Sequence, residues 1–282
     1  MWNTKLIDTA RGVFEVFIKG EGQPICVTHH YTEFSEQGHY FAEPFTATHK
    51  TILVNLREAG RSVGAEGDEQ LTMRETVEDL EAIREAMGYE KWAYAGTSTG
   101  GMIGLTYGIY HSGSLTFLIV AGATASRDYM DQAGCIYNSN HQHNVRVQEL
   151  LAIINNPATT PEERGPAVRE WTQMSIFRPE KFDDYFNTPG KGGKTHPRRL
   201  RGYINELADY DIRDSLQRIQ VPTLVVCGRH DAQCPLESSE EIHRLTPGSQ
   251  LAIIEESNHY PYLENPGQFN DVILAFFATC QK

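Results

Sequence analysis

The sequence has no long apolar run; no stretch approaches the ~20 apolar residues that a membrane-spanning helix needs. It is also short of basic charge, with 25 lysines and arginines against 37 aspartates and glutamates and a net charge of −12. The phosphates of nucleic acids and anionic bilayers repel such a surface, so neither is expected as a partner. Paired cysteines are missing too. The five present (Cys26, Cys135, Cys227, Cys234 and Cys280) are odd in number and scattered, and none forms a C-x-x-C. Free thiols in a reducing compartment are the plain expectation. The opening MWNTKLIDTARGVFEVF carries no apolar segment behind a basic one, so it is not read as a secretory signal. A cytoplasmic protein is expected.

The 282 residues, 40% hydrophobic and 22% charged, suffice for one large core and an inserted lid. TKLIDT and VFEVFIKG flank Arg11-Gly12 and predict an opening hairpin. PICVTHH and KTILVNL are apolar runs of the kind buried on both faces of a parallel sheet. LTMRETVEDLEAIREAMGY reads as a helix. Thr72 and Glu75 form a capping-box pattern, Met73, Val77, Leu80, Ile83 and Met87 recur at helical spacing, and Gly88 marks the stop. The alternation then repeats. KWAYAGTS, LTFLIVAGA, PTLVVCGRHD and SQLAIIEESNH predict strands, while TGGMIGLTYGIYH, PLESSEEIHRL and PGQFNDVILAFFATC predict helices. Strands alternating with helices need crossover connections, which makes this an α/β chain built on a mostly parallel sheet.

Between residues 124 and 214 the rhythm changes. NVRVQELLAIINN, PEERGPAVREWTQM and PRRLRGYINELADY are helical patterns with no apolar strand between them, broken by NTPGKGGKTHP. The expected organisation is a core of residues 1–123 and 215–282 carrying a helical cap at 124–214.

Gly96-Thr97-Ser98-Thr99-Gly100 fits G-x-S-x-G between a predicted strand and a predicted helix, the context the motif requires. A sharp turn there would force the serine into an unfavourable backbone region, and small neighbours would make room for it. The following helix N-terminus would offer free N–H groups to a developing oxyanion. The alternative is a glycine-rich turn holding an incidental serine. A serine hydroxyl needs a base. Among 11 histidines, His259 follows the last apolar strand, where loops gather over a sheet's C-terminal edge. His230, His243, His141 and His143 read as solvated. The HQH at 141–143 has no third partner, so no metal is expected. Asp231 follows the preceding strand, as a triad acid should, though it could also be an Asx-turn residue. The order Ser98…Asp231…His259, each after its own strand, matches a known arrangement.

On these residues the chain resembles an α/β-hydrolase over nearly its whole length, with NLREAGRS similar to the family's D-x-R-G-x-G-x-S loop. Within that family it looks most like the proline iminopeptidase and small carboxylesterase branch. The resemblance implies Ser98 as nucleophile, His259 as general base and then acid, and Asp231 as the group orienting its imidazole. It implies the backbone N–H of Thr99 as one oxyanion donor and that of Tyr31 as the second, with no cofactor. The sequence departs from the iminopeptidase pattern in two places. THHYTEF stands where H-G-G-P-G is usual, so His29 is kept while His30, Tyr31, Thr32 and Glu33 replace the rest. Threonines flank Ser98 where G-G-S-W-G is typical.

An aminopeptidase must hold a free ammonium with carboxylates, and Glu33, Glu206 and Asp209 are candidates unless they are ordinary surface charges. A hydrophobic pocket under the cap would suit a small ester instead. Trp171, Met174, Phe177, Phe182, Tyr185 and Phe186 are candidate liners, with His30, Glu33, Trp171 and Phe177 the named substrate-contact candidates. The functions in play are a serine hydrolase acting on a small ester or amide, an iminopeptidase-like aminopeptidase, and a non-catalytic ligand binder. A perhydrolase or C–C hydrolase with the same triad is not separable from an esterase on sequence. The expected partner is a small molecule or short peptide; the oligomeric state is not read.

Overall fold

The structure, a computed structural model, describes residues 1–156 and 158–280. Residue 157, in the expected cap, and residues 281 and 282, in the expected core, lie outside the described residues. The predicted hairpin is β1 (Asn3–Thr9) with β2 (Gly12–Lys19), paired antiparallel. β3 (Pro24–Val27) leads through a loop to the two-residue β4 (Thr32–Glu33), and β5 (Lys50–Val54) follows. Helix α1 (Met73–Ala86) begins at Thr72, whose hydroxyl accepts the Glu75 N–H at 3.2 Å. Only this half of the expected capping box forms. Glu75 turns away to pair with Arg11. Gly88, at φ 75°, takes the left-handed conformation that ends the helix.

β6 (Trp92–Thr97), α2 (Thr99–His111) and β7 (Leu115–Ala121) form the central crossover. The helical stretch has α3 (Asn144–Asn155), α4 (Pro161–Gln173), the single turn α5 (Phe182–Tyr185), the two-residue β8 (Lys194–Thr195) and α6 (Pro197–Leu207). The chain closes with β9 (Thr223–Gly228), α7 (Leu236–Leu245), β10 (Gln250–Ile254), the turn α8 (Pro261–Glu264) and α9 (Pro266–Cys280).

The main sheet has eight strands in the order β1-β2-β5-β3-β6-β7-β9-β10. All neighbours from β5 to β10 run parallel, and only β1 and β2 are antiparallel. Alternation along each strand feeds two cores. Ile52, Trp92, Tyr94, Leu118 and Val120 face α1 and α2, where they meet Val77, Leu80, Ile83, Ile103 and Leu105. Leu53, Ala93, Ala95, Ile119 and Val226 face the other way, onto Phe269, Ile273 and Phe276 of α9. Between β7 and β9 no described residue joins the main sheet. That stretch is closed on itself at its base, where Ile212 N–H donates to Ala125 O at 2.8 Å, and β8 ties it to the loop after β3 by pairing with β4 as a two-residue ribbon.

Candidate active site

Ser98 sits between β6 and α2 at φ 55° and ψ −124°, a conformation that costs a non-glycine residue about 1–3 kcal/mol. Its neighbours make the turn possible. A Cβ at Gly96 would strike the Gly100 carbonyl, and one at Gly100 would strike the carbonyl of Thr28. The glycines therefore let α2 start against both β6 and the loop after β3. Ser98 N–H is fastened to Ala121 O at 2.8 Å, locking the turn to the end of β7. Among the described residues, the Ser98 hydroxyl and the N–H groups of Thr99 and Tyr31 have no hydrogen-bond partner in the chain.

The acid and the histidine come from the loops after β9 and β10. His259 Nδ1 donates to Asp231, 2.9 Å from Oδ2 and 3.0 Å from Oδ1, and both residues are 4% exposed. With Nδ1 carrying the proton, Nε2 is left as an acceptor. Asp231 Oδ1 also accepts the N–H groups of Gln233 at 2.9 Å and Cys234 at 2.8 Å. Glu264 braces the histidine loop: its Oε1 accepts Asn258 N–H at 2.9 Å and Tyr260 N–H at 3.0 Å. The structure thus joins Asp231 to His259 and holds both beside Gly122 at the end of β7, next to the strand end that fastens Ser98. A Ser98–His259 hydrogen bond is not formed.

Ser98, Thr99 and Tyr31 line a cavity of about 320 Å³ whose far wall comes from α3, α4 and α6. Tyr129, Tyr137 and Tyr203, the side chains of Leu151, Val168 and Leu207, and Trp171 complete much of it. No described lining residue is charged. Of the candidate substrate contacts, only Trp171 lines this space; its Nε1 is buried without a partner among the described residues.

The others lie elsewhere. Phe177 is half-exposed and stacks on His230 with ring centroids 4.7 Å apart. Met174, Phe182, Tyr185 and Phe186 do not line the cavity either. Glu33 pairs with Lys194 at 2.7 Å, and Asp209 is exposed. Both oxygens of Glu206 accept the Met73 N–H at 3.0 Å, capping α1. His30 is fully buried and both ring nitrogens lack hydrogen bonds; its Nε2 lies 3.6 Å from Glu206. Burial holds the pKa values of His30 and neighbouring His29 well below the usual imidazole range. His29 is pinned by Thr32 Oγ1 at 2.8 Å and Thr99 Oγ1 at 3.0 Å.

The altered loop does not need the missing glycines. Glu58, Ser98 and Glu256 are the described non-glycine residues with positive φ, so His30 and Tyr31 adopt ordinary backbone. Sequence reasoning missed Glu264, Gln233 and the three cavity tyrosines. It also missed Arg199, a buried residue in the basic PRRLRG run.

The profile of the α/β hydrolase fold family matches residues 23–266. An α/β fold family hydrolase from Bacillus anthracis superposes with a TM-score of 0.95 at 42% identity, over 98% of this chain and 99% of that one. A proline iminopeptidase from Arabidopsis thaliana is 24% identical over 301 residues, 97% of this chain and 78% of the relative. An esterase from Exiguobacterium antarcticum shares the fold at 23% identity and TM-score 0.73, covering 96% and 98%. This chain belongs to the α/β hydrolase fold family and is a hydrolase of that family.

Proposed function

We propose that the chain is a serine hydrolase that cleaves a small, uncharged carboxylic ester through an acyl-enzyme. In this reading His259 Nε2 takes the Ser98 proton as Oγ attacks the ester carbonyl. The oxyanion accepts the free N–H groups of Thr99 and Tyr31. His259 then gives its proton to the leaving alcohol, and water repeats the sequence to release the acid. Asp231 keeps the Nδ1–H tautomer throughout. Residues 124–214 act as the cap, and the unpartnered Trp171 Nε1 supplies one donor in an uncharged wall.

The observation that carries the ester reading is the uncharged cavity lining. An ammonium drawn from water into that space would meet no carboxylate, a costly transfer. Glu33 and Glu206 are bound elsewhere and Asp209 is exposed. The aminopeptidase reading rests on the relatives named for that activity.

Initial rates on p-nitrophenyl acetate and butyrate beside prolyl p-nitroanilide, each with a Ser98→Ala control, test this. Turnover of the esters alone, lost by about a thousandfold or more in Ser98→Ala, is expected. Serine-dependent turnover of the prolyl anilide would overturn the ester reading. A wild type that neither turns over nor takes a fluorophosphonate probe at Ser98 would leave a ligand binder.

A further inference from the structure

Arg199, near the start of α6, is 1% exposed, yet no carboxylate touches it. Its Nε donates to the carbonyl of His30, its Nη1 to the carbonyl of Arg57 at 3.2 Å and its Nη2 to Thr76 Oγ1 at 3.0 Å. Burial pulls its pKa down to about 9, which leaves it a cation at neutral pH. The carboxylates of Asp79, Glu206 and Glu58 favour its charge only without contact, so burying it against neutral acceptors is still expensive. A shorter apolar side chain would fill the place at less cost, so the arginine asks for a role.

The His30 carbonyl belongs to the same peptide unit as the Tyr31 N–H. That unit is planar, and the chain has no cis peptide among its described residues, so its C=O and N–H point in opposite directions. A cation gripping the oxygen therefore sets where the N–H points. It also draws electron density from the amide and strengthens the N–H as a donor. The far side of Tyr31 is held from the same element, because its carbonyl accepts the His196 N–H at 2.8 Å. Thus His196, the residue before α6, and Arg199, three positions on, hold both peptide units that flank Tyr31.

We propose that Arg199 is a positioning residue: it holds the His30–Tyr31 peptide so that the Tyr31 N–H meets the oxyanion. This rests on the serine-hydrolase reading of Ser98. The oxyanion loop has no glycine at positions 30 and 31, and a side chain from the cap fixes its geometry instead. An intact cap is then a condition for turnover as well as for substrate binding.

Full-length Arg199→Met and Arg199→Lys variants test the assignment with p-nitrophenyl butyrate, thermal unfolding and inhibition by butylboronic acid, whose adduct with Ser98 is tetrahedral. For Arg199→Met, kcat is expected to fall about a hundredfold, the usual loss for one oxyanion donor, with boronate affinity falling in parallel. KM should stay within about threefold, because ground-state binding is untouched. Arg199→Lys keeps a cation that reaches the His30 carbonyl and should recover about tenfold of the lost kcat. Folded Arg199→Met with kcat and boronate affinity near wild type would overturn the proposal. Should Arg199→Met fail to fold, Arg199→Lys decides: lowered kcat at constant KM supports the role, and wild-type kcat refutes it. Wild type inactive on esters and unlabelled at Ser98 would instead refute the hydrolase reading beneath it.

Discussion

On the serine side of the site, Gly96 and Gly100 let backbones close to separations that no Cβ would tolerate, and Ser98 is held in a strained turn as a result. On the histidine side, the Asp231 carboxylate collects the imidazole and two backbone N–H groups, and Glu264 collects three more. One half is positioned by close backbone approach fastened at one hydrogen bond, the other by hydrogen bonds gathered on two carboxylates. Histidines mark the contrast. His259 is buried with a carboxylate on its Nδ1, whereas His30 is buried with nothing bonded to either nitrogen. Burial alone therefore does not fix an imidazole's orientation by hydrogen bonds; a partner does.

The largest effect should come from the hydrogen-bonded half. Asp231→Asn keeps the shape but no longer enforces the Nδ1–H tautomer, so ester kcat should fall by about ten-thousandfold with the melting temperature little changed. A comparable loss of melting temperature would mean that Asp231 acts mainly in folding. Gly100→Ala attacks the steric half. Its Cβ would collide with the Thr28 carbonyl, so urea unfolding should show a loss of about 1–3 kcal/mol. If stability and rate are both unchanged, the close approach is not what shapes the turn.

The smallest effect separates the two kinds of histidine. His30 has its pKa depressed by burial, so below about pH 6.5 the unfolded chain binds a proton that the native chain does not. That stability is present above pH 6.5 and is lost as pH falls, at up to about 1.4 kcal/mol per pH unit. His30→Phe should flatten this part of the urea-derived stability profile while leaving neutral-pH stability nearly unchanged. An unaltered slope would show that His30 takes up its proton in the native state.

Where each half stands in the sequence explains how much of it was legible. The strands announced themselves as apolar runs, and the G-x-S-x-G turn announced itself by its glycines, because backbone strain recruits particular residue types. Asp231 and His259 followed from their places after β9 and β10. Some strand ends fell short of the runs: LTFLIVAGA predicts a strand to residue 123, but β7 stops at Ala121 and Gly122 turns away at φ 52°. The helices of residues 124–214 were also readable, but their contacts were not. Helical spacing says which face is apolar and nothing about what it meets, so Phe177 was expected in the pocket and lies on His230 instead. The ribbon of β4 and β8 is too short to have a period. Arg199 acts through carbonyls distant in sequence, and Glu264 through N–H groups of an irregular loop four and six residues before it; no periodic pattern encodes either.

The strained Ser98 has a kinetic corollary. Nothing local favours φ 55° at a serine, so the turn cannot persist in a partly folded chain. It is held only once β6, β7 and α2 are packed and Ala121 accepts the Ser98 N–H. During refolding, helical signal and compactness can return while Ser98 is still relaxed. In the proposed serine-hydrolase reading, recovered ester turnover is therefore a late clock for this chain, trailing every probe that reports secondary structure alone.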